Sequence, residues 1–333
     1  MAMKRIPRVL LFLLIIISVA GITYNLVHLF QQDKRAEGEE VEIIIPEGAN
    51  ARTVSKLLEE REVITSSKRF IIVAKVTGKE KRIRAGRYLM HKGMGVRLAL
   101  DTLVKGATKP LRVTIPEGLT LEEISMLLEH SLDIDPVVFL SLAKDEKRAR
   151  RMGIEQNDFE GFLFPNTYDF NHGVNEAEIL ERMVKEFWNT FDDSLKERAK
   201  EIEFTVYETV ILASLIEEEA MLEREYATIS QVYHKRLKLE RALECDATVQ
   251  YALPERKERL LYSDLKVDSP YNTYLHKGLP PGPIANPGKS ALVAALYPAN
   301  GDYLYYVARG DGSHIFSKTA KEHYQAIKSL KKK

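Results

Sequence analysis

The sequence predicts an α+β chain in three parts: an N-terminal transmembrane helix, a small region of repeated β-α units, and a larger mixed α/β domain that carries the chemistry. Three observations lead there. Val9 to Phe30 is a run of 22 residues without a formal charge. A β-rich segment that stops at Pro-Glu-Gly and passes into helical periodicity begins at residue 41 and recurs 70 residues later. From about Glu155 onward, helical patterns of apolar residues alternate with Pro- and Gly-punctuated loops, and one helix carries three consecutive carboxylates, Glu217 to Glu219.

Composition bounds the function classes. With 333 residues, 45% hydrophobic and 29% charged, the chain is long enough for two or three globular domains. Its 49 basic and 48 acidic residues leave a net charge of +1, so no global field recruits nucleic acid; only Lys328 to Lys333 is locally basic. The single cysteine, Cys245, excludes an intramolecular disulfide and a cysteine-rich metal site. The eight histidines show no HExxH or comparable spacing, and no phosphate-binding glycine loop is present, so neither a metal nor a cofactor is expected.

At 1.5 Å per helical residue, Val9 to Phe30 spans roughly the ~30 Å of a hydrocarbon core. Lys4, Arg5 and Arg8 precede it, which by the positive-inside rule keeps residues 1–8 in the cytoplasm and sends the rest outside. A cleaved signal peptide ending at Ser18-Val19-Ala20 is the competing reading, but apolar residues continue past that site through Phe30. The expectation is therefore a single-pass anchor at 9–30, followed by a charged, solvated linker at 31–40.

Val41 to Gly48 and its continuation to Ile64 align without a gap on Leu111 to Gly118 and its continuation to Ile134. Each copy stops at Pro-Glu-Gly, a turn signal, before apolar residues recur at helical spacing: Val54, Leu57 and Leu58 in the first, Ile124, Leu127 and Leu128 in the second. A weaker echo runs from Gly86 to Val104. Each strand-turn-helix unit has to pack on a neighbour to bury its apolar stripe. Modules of this kind resemble LysM domains, which bind glycans rich in N-acetylglucosamine. Residues 41–108 are accordingly read as a LysM-like module, glycan-binding or purely structural, and 109–154 as a second β-α unit and connector.

The region 155–333 holds the dense motifs. Glu160 to Tyr168 is an aromatic loop, suited either to stacking on sugar rings or to a buried turn. A helical pattern with Met183, Phe187 and Phe191 on one face extends from about Ala177 through Lys200, with Trp188 as core. A second extends from about Thr205 to Leu239 and sets Glu217-Glu218-Glu219 directly after the apolar run Val210 to Ile216. At the edge of a buried face, desolvation disfavours the charged carboxylate and raises its pKa. A carboxyl kept protonated near neutral pH can protonate a leaving sugar oxygen, which points to glycosidic bond cleavage. In a continuous helix, Ala213, Ser214, Ala220 and Met221 flank Glu217; Glu218 shares part of that lane and Glu219 turns toward Glu223. Helical geometry favours Glu217 or Glu218 and does not choose.

Several strings carry a family resemblance: Ala213 to Glu219, Glu225, Val232 to Leu237, Asp246 to Tyr251, Tyr271 to Tyr274, and Gly278 to Gly288. With Gly312 to Phe316 and His323, and in this order, they resemble the endolytic murein transglycosylase family, also called YceG-like or MltG proteins. The resemblance covers nearly the whole chain. Lys235, Glu244-Cys245 and Ala247 depart from the family pattern. The resemblance puts the catalytic acid on Glu217. It implies that one glutamate protonates the oxygen bridging N-acetylmuramic acid to N-acetylglucosamine, then, ionised, takes the proton of the C6 hydroxyl, leaving a 1,6-anhydromuramyl end in nascent peptidoglycan strands and terminating their elongation. Acid and then base on one residue requires a pKa near the working pH, and an intramolecular nucleophile profits from exclusion of water.

Around that acid, Glu225, Asp246, Thr248, Tyr271, Asn272, Thr273, Tyr274 and Asn286 are the candidate substrate-binding residues. Asp246 and Thr248 either orient Glu217 or substrate or serve as caps and core hydrogen bonds. Glu225 either lines the groove or faces solvent. The Gly278–Gly288 loop is read as rigid scaffolding except for Asn286. His314 is either a sugar ligand or a satisfied structural histidine. A muramidase using water and a non-catalytic glycan-binding scaffold are the alternatives. The expected partners are peptidoglycan strands, the membrane and peptidoglycan synthases, not nucleic acid.

Overall fold

The computed structural model describes residues 39–106, 110–170 and 174–331. The expected tail 1–8, the span 9–30 and most of the linker 31–40 lie outside the described residues. Among the described residues no helix is long and apolar enough to cross a membrane. Those residues form an α+β chain of many helices with three two-stranded sheets. They divide into two compact units, one comprising the chain up to Leu111 with Asp169–Val174, the other Arg112–Tyr168 with Asn175 onward.

In the first unit β1 (Glu40–Ile45), α1 (Ala51–Glu60), α2 (Ser67–Val76), β2 (Gly86–His91) and α3 (Val96–Lys105) follow one another. The two strands pair antiparallel, with Ile43 opposite Tyr88 and Val41 opposite Met90. Strand alternation turns Ile43, Ile45, Tyr88 and Met90 inward onto Val54, Leu58, Phe70, Val73, Leu100 and Leu103, which form one buried core. Asn50 caps α1 by accepting from the N–H groups of Arg52 and Thr53, each at 3.0 Å. The Tyr88 hydroxyl, deep in that core, donates to the Arg84 carbonyl at 2.6 Å.

In the rest of the chain β3 (Leu111–Ile115), α4 (Leu121–Leu132), α5 (Pro136–Ala143), α6 (Glu146–Arg151), β4 (Asn166–Phe170), α7 (Glu176–Thr190) and α8 (Asp193–Glu201) lead to α9 (Val206–Glu219). After it come α10 (Tyr226–Lys238), α11 (Asp246–Ala252), α12 (Lys289–Leu296), β5 (Tyr305–Ala308), β6 (His314–Ser317) and α13 (Ala320–Leu330). Strand β3 pairs with β4, and β5 pairs antiparallel with β6. Every residue of α9 from Thr209 to Ile216 is buried, and its main packing partner is α12.

The 70-residue repeat is real down to single atoms. Ile43 and Ile45 match Val113 and Ile115, and Val54 and Leu58 match Ile124 and Leu128, all buried. Gly48 and Gly118 both turn through positive φ, 71° and 81°. Buried Ser55 and Ser125 each donate to the carbonyl three residues back, at 2.9 and 2.7 Å. The third echo is β2 followed by α3.

Two long helices expected from periodicity are each broken. The pattern over 177–200 is α7 and α8, separated where Phe191 ends one helix and Asp192 caps the next by accepting from Ser194 and Leu195 N–H. The pattern over 205–239 breaks at Ala220, which is extended (φ −112°, ψ 121°), before a 3-10 turn at Glu223–Glu225 and α10. Ala220 and Met221 therefore do not continue a helical lane beyond Glu217, and Met221 is 85% exposed.

The repeat supplies its own controlled comparison. A Cβ on Gly48 would meet nothing within 4 Å, whereas one on Gly118 would stand 2.7 Å from Glu218 Oε1. Gly48→Ala should cost only the strain of positive φ, about 1–2 kcal/mol. Gly118→Ala should cost measurably more. Chemical denaturation of the two variants against the parent checks this.

Candidate active site

Glu217 lies in the last turn of α9, directly after the buried run that ends at Ile216. The break at Ala220 gives it a partner that a continuous helix would deny. Nine residues on, an unbroken helix would put Tyr226 about 13 Å along the axis on the opposite face. With the chain reversed at Ala220, the Tyr226 hydroxyl donates to Glu217 Oε1 at 2.6 Å. The other oxygen, Oε2, accepts from the backbone N–H of Gly288 at 2.9 Å, at the residue that opens α12. Burial pushes the Glu217 carboxyl above its ordinary range; the two hydrogen bonds oppose that shift, and the charges of Glu117 and Glu223 add to it.

Its neighbours are held differently. Glu218 accepts from Arg256 at 2.6 Å, and burial raises its pKa against that ion pair. Glu218, Thr120, Glu123, Gln250, Tyr251 and Arg256 line a cleft of about 410 Å³. A second hollow, of about 330 Å³, is lined by Glu223, Tyr226, Lys289 and Tyr297 among others. Glu217 itself lines neither space; its neighbour Glu218 faces the first and its donor Tyr226 the second. Glu219 does not turn toward Glu223, as a continuous helix would have it. Its carboxyl accepts from buried Tyr233 and Cys245, each at 3.4 Å, and burial raises its pKa.

The turn of the second β-α copy lies against these acids. The Gly118 N–H donates to the Asn286 carbonyl at 3.0 Å, and the Asn286 N–H returns a bond to the Leu119 carbonyl at 2.9 Å. The Asn286 side chain donates to Leu119 O at 2.8 Å and to Glu160 Oε1 at 2.9 Å, and accepts from Leu163 N–H at 2.8 Å. One buried amide thus ties the Pro116-Glu117-Gly118 turn, the Glu160 loop and the Gly278–Gly288 loop together. The glycine at 288 is required by the same closeness: a Cβ there would stand 2.6 Å from Glu117 Cγ.

The model of the YceG-like family matches residues 43–329. The chain belongs to the YceG-like family. It is 36% identical over 302 residues to the endolytic murein transglycosylase of Bacillus subtilis, covering 86% of this chain and 83% of that protein. It is 27% identical to the endolytic murein transglycosylase of Streptococcus pneumoniae strain D39, over 80% of this chain and 54% of the pneumococcal protein. The crystal structure of a yceG-like protein from Listeria monocytogenes superposes with a TM-score of 0.61 at 31% identity, over 86% of this chain and 98% of that one.

In this YceG-like chain several expected substrate contacts turn out to be enclosed. Asn286 is fully buried with its amide spent on protein groups, so it positions loops and does not reach a ligand. Thr248 and Thr273 are buried and share a hydroxyl bond of 2.9 Å. Asn272, also buried, holds the Leu265 and Val267 carbonyls at 3.0 and 2.9 Å. Glu225 pairs with His314 Nδ1 at 2.8 Å and accepts from its backbone N–H, joining the start of α10 to β6. The two side chains are thus partners of each other. Exposed Asp246 accepts from the Tyr274 hydroxyl at 2.5 Å, and half-buried Tyr271 backs the cleft residue Tyr251, ring centroids 4.9 Å apart. The aromatic loop is a buried turn: Phe162, Leu163 and Phe164 are buried, and Phe162 packs edge-on to Phe187 at 4.8 Å.

Tyr226, Glu117, Arg256 and Gly288 were not singled out from sequence. The recurrence of Pro-Glu-Gly marked the turn that carries Glu117, but nothing local marked its docking. Tyr226 follows from the helix break and Arg256 from no pattern at all.

Glu160 yields a prediction of pH-dependent stability. Burial raises its carboxyl to about 8, against the bond from Leu121 N–H and with the help of the Glu122 and Asp158 charges. Between the ordinary carboxyl range and about 8 the folded state then binds the extra proton, so stability falls as pH rises through that window and levels above it. Thermal melts across pH 5–9 should show this decline. Glu160→Gln, which cannot ionise, should flatten it.

Proposed function

We propose that this protein is an endolytic lytic transglycosylase of peptidoglycan, a lyase that cleaves the β-1,4 bond between N-acetylmuramic acid and N-acetylglucosamine within a strand and leaves a 1,6-anhydromuramyl end. Terminating the elongation of nascent strands is the consequence of a cut made inside them. The observation that carries this reading is the environment of Glu217. Its carboxyl is raised by burial, yet each oxygen already has a donor, Tyr226 or Gly288 N–H, ready to stabilise the carboxylate.

That combination suits a group that gives a proton and takes one back. Burial favours the protonated form of Glu217. As the bond to the anomeric carbon lengthens, the proton passes to the bridging oxygen. The carboxylate left behind is stabilised by the two donors and by the partial positive charge at the opening of α12. It then accepts the C6 hydroxyl proton while that oxygen closes on the anomeric carbon. The family membership and the names of the relatives at 36% and 27% identity agree with this chemistry. Glu218, the helix neighbour of Glu217, lines a cleft of about 410 Å³ and the donor Tyr226 lines a hollow of about 330 Å³, space near the acid for sugar units of a strand.

Residues 9–30 anchor the enzyme in the cell membrane in this proposal, with the N-terminus cytoplasmic and the catalytic region outside, where nascent strands are made and where peptidoglycan synthases are candidate partners. The charges of Lys4, Arg5 and Arg8 before an uncharged 22-residue run support that orientation. The LysM-like 41–108 module spaces the site from the membrane or holds glycan. Tyr271 backs the cleft residue Tyr251, and Tyr274 holds Asp246 at the start of α11.

Glu217→Gln keeps shape but has no exchangeable carboxyl proton, so formation of anhydro ends should fall about a hundredfold to ten-thousandfold with melting unchanged. Glu218→Gln should retain most turnover. Glu219→Gln should also retain most turnover, since both donors, Tyr233 and Cys245, bond one oxygen that the amide carbonyl can replace. Mass spectrometry of fragments from purified peptidoglycan counts the ends, and reducing muramic acid ends in place of anhydro ends would establish a muramidase. A reporter fused after Lys333 should be active outside the cytoplasm, with the protein in the membrane fraction; a soluble form beginning near Gly21 would refute the anchor.

A further inference from the structure

Hydrolytic glycosidases pair two carboxyl groups; beside Glu217, Glu218 is paired with Arg256 and Glu219 accepts from buried Tyr233 and Cys245. The fold brings another from a hundred residues upstream. We propose that Glu117, on the Pro116-Glu117-Gly118 turn of the second β-α copy, is a positioning residue of the active site whose carboxylate keeps the proton on Glu217 until the glycosidic oxygen takes it. The proposal rests on the transglycosylase reading for its meaning, though not for its test.

Four observations place Glu117 there. Its Cγ occupies the space a side chain at residue 288 would need, 2.6 Å from that Cβ position, and the N–H of Gly288 is a donor to Glu217. The backbone of the turn approaches the acids themselves: a Cβ on Gly118 would lie 2.7 Å from Glu218 Oε1 and 3.9 Å from Glu217 Cγ. The turn is pinned by the reciprocal bonds between Gly118, Leu119 and Asn286. The charge of Glu117 acts on both Glu217 and Tyr226, in each case favouring the protonated form of that group. The equivalent turn of the first copy, at Glu47-Gly48, has open space where Gly118 has the acids. Docking on a carboxylate cluster is therefore a property of the second copy and not of the motif.

The other charges facing Glu217 do not duplicate this. Glu218, on the same helix, is paired with Arg256. Glu223, from the 3-10 turn, also repels the ionised form but accepts from Ser290 on α12. Tyr226 from α10 and the Gly288 N–H act in the opposite sense, favouring the carboxylate. From α11, the Asp246 charge acts on Glu219, as does that of His314. Lys289, exposed at the start of α12, makes no ion pair among the described residues. Glu117 is itself exposed, so solvent screening keeps its effect moderate.

The test is a carboxyl titration of the full chain labelled with ¹³C at glutamate, followed by NMR, with the Glu217 signal assigned from Glu217→Gln. Glu117→Gln should lower the Glu217 midpoint by about half a pH unit, Glu117→Asp should restore part of that, and Glu223→Gln should have less effect than Glu117→Gln. Protonated Glu217 is the acid, so the alkaline limb of anhydro-end formation should move down by the same amount while the low-pH plateau stays. If Glu117→Gln does not fold, raising the salt concentration on the parent protein must lower the Glu217 midpoint by screening the same charge. An unmoved midpoint in folded Glu117→Gln, or in high salt, overturns the proposal. So does a loss of rate that is equal at every pH, which would make Glu117 a substrate contact. The titration needs no substrate, so it stands or falls separately from the transglycosylase reading.

Discussion

The arrangement around Glu217 depends on one buried amide. Asn286 spends its donors on Leu119 and Glu160, accepts from Leu163, and exchanges backbone bonds with the turn at Gly118 and Leu119. Each of the three segments it joins is a loop, and loops that lack the ladder of a helix or sheet depend on such partners to hold position. With the amide satisfied on every side, the Pro- and Gly-rich loop delivers the Gly288 N–H to the carboxyl, and the β-α turn delivers its glutamate to the same place. Leaving any of these groups unpaired in the interior would cost about 1–3 kcal/mol each, a large share of what a domain has to spare.

The chemistry that results is a balance of opposed terms on a single group. Burial and two nearby negative charges favour the neutral carboxyl, while a phenol and a peptide N–H favour the ionised one. A fully apolar pocket would hold the proton too firmly to release it, and a solvated one would never keep it. Glu219, two residues on, shows the other outcome of burial: its carboxyl is wrapped by Tyr233 and Cys245 and becomes part of the wall. Consecutive acids on one helix turn have thus acquired three different duties from what surrounds them.

How much of this was visible in the sequence follows from what each signal encodes. The repeat was legible because Pro-Glu-Gly turns and helical apolar spacing are local, and both copies hold to the level of Ser55 and Ser125. The burial of Val210 to Ile216 was legible for the same reason. The break at Ala220 was not: Ala220, Met221 and Leu222 are good helix formers, and tertiary contacts override them. Asn286, Thr248, Asn272 and Thr273 were grouped with substrate contacts because a polar residue in a loop motif reads alike whether it faces a ligand or satisfies a buried backbone. Only the three-dimensional neighbours distinguish the two. His314 and Glu225 were similarly open, and their pairing at 2.8 Å had no signal in the sequence.

The positions of Tyr226 and Gly288 also bear on when the protein becomes competent. One donor to Glu217 lies 9 residues away in sequence and the other 71, while the clamp that holds the loop spans 126 and 167 residues. Contacts of such separation are the last to repay their loop-closure entropy during folding. A chain released from synthesis only as far as α11 already has its acid, its helix and its phenol, yet the carboxyl lacks the peptide donor and the wall that bears it. The setting of the carboxyl is therefore finished only when the chain beyond α11 has folded back onto α9, so the acid and its surroundings mature at different times.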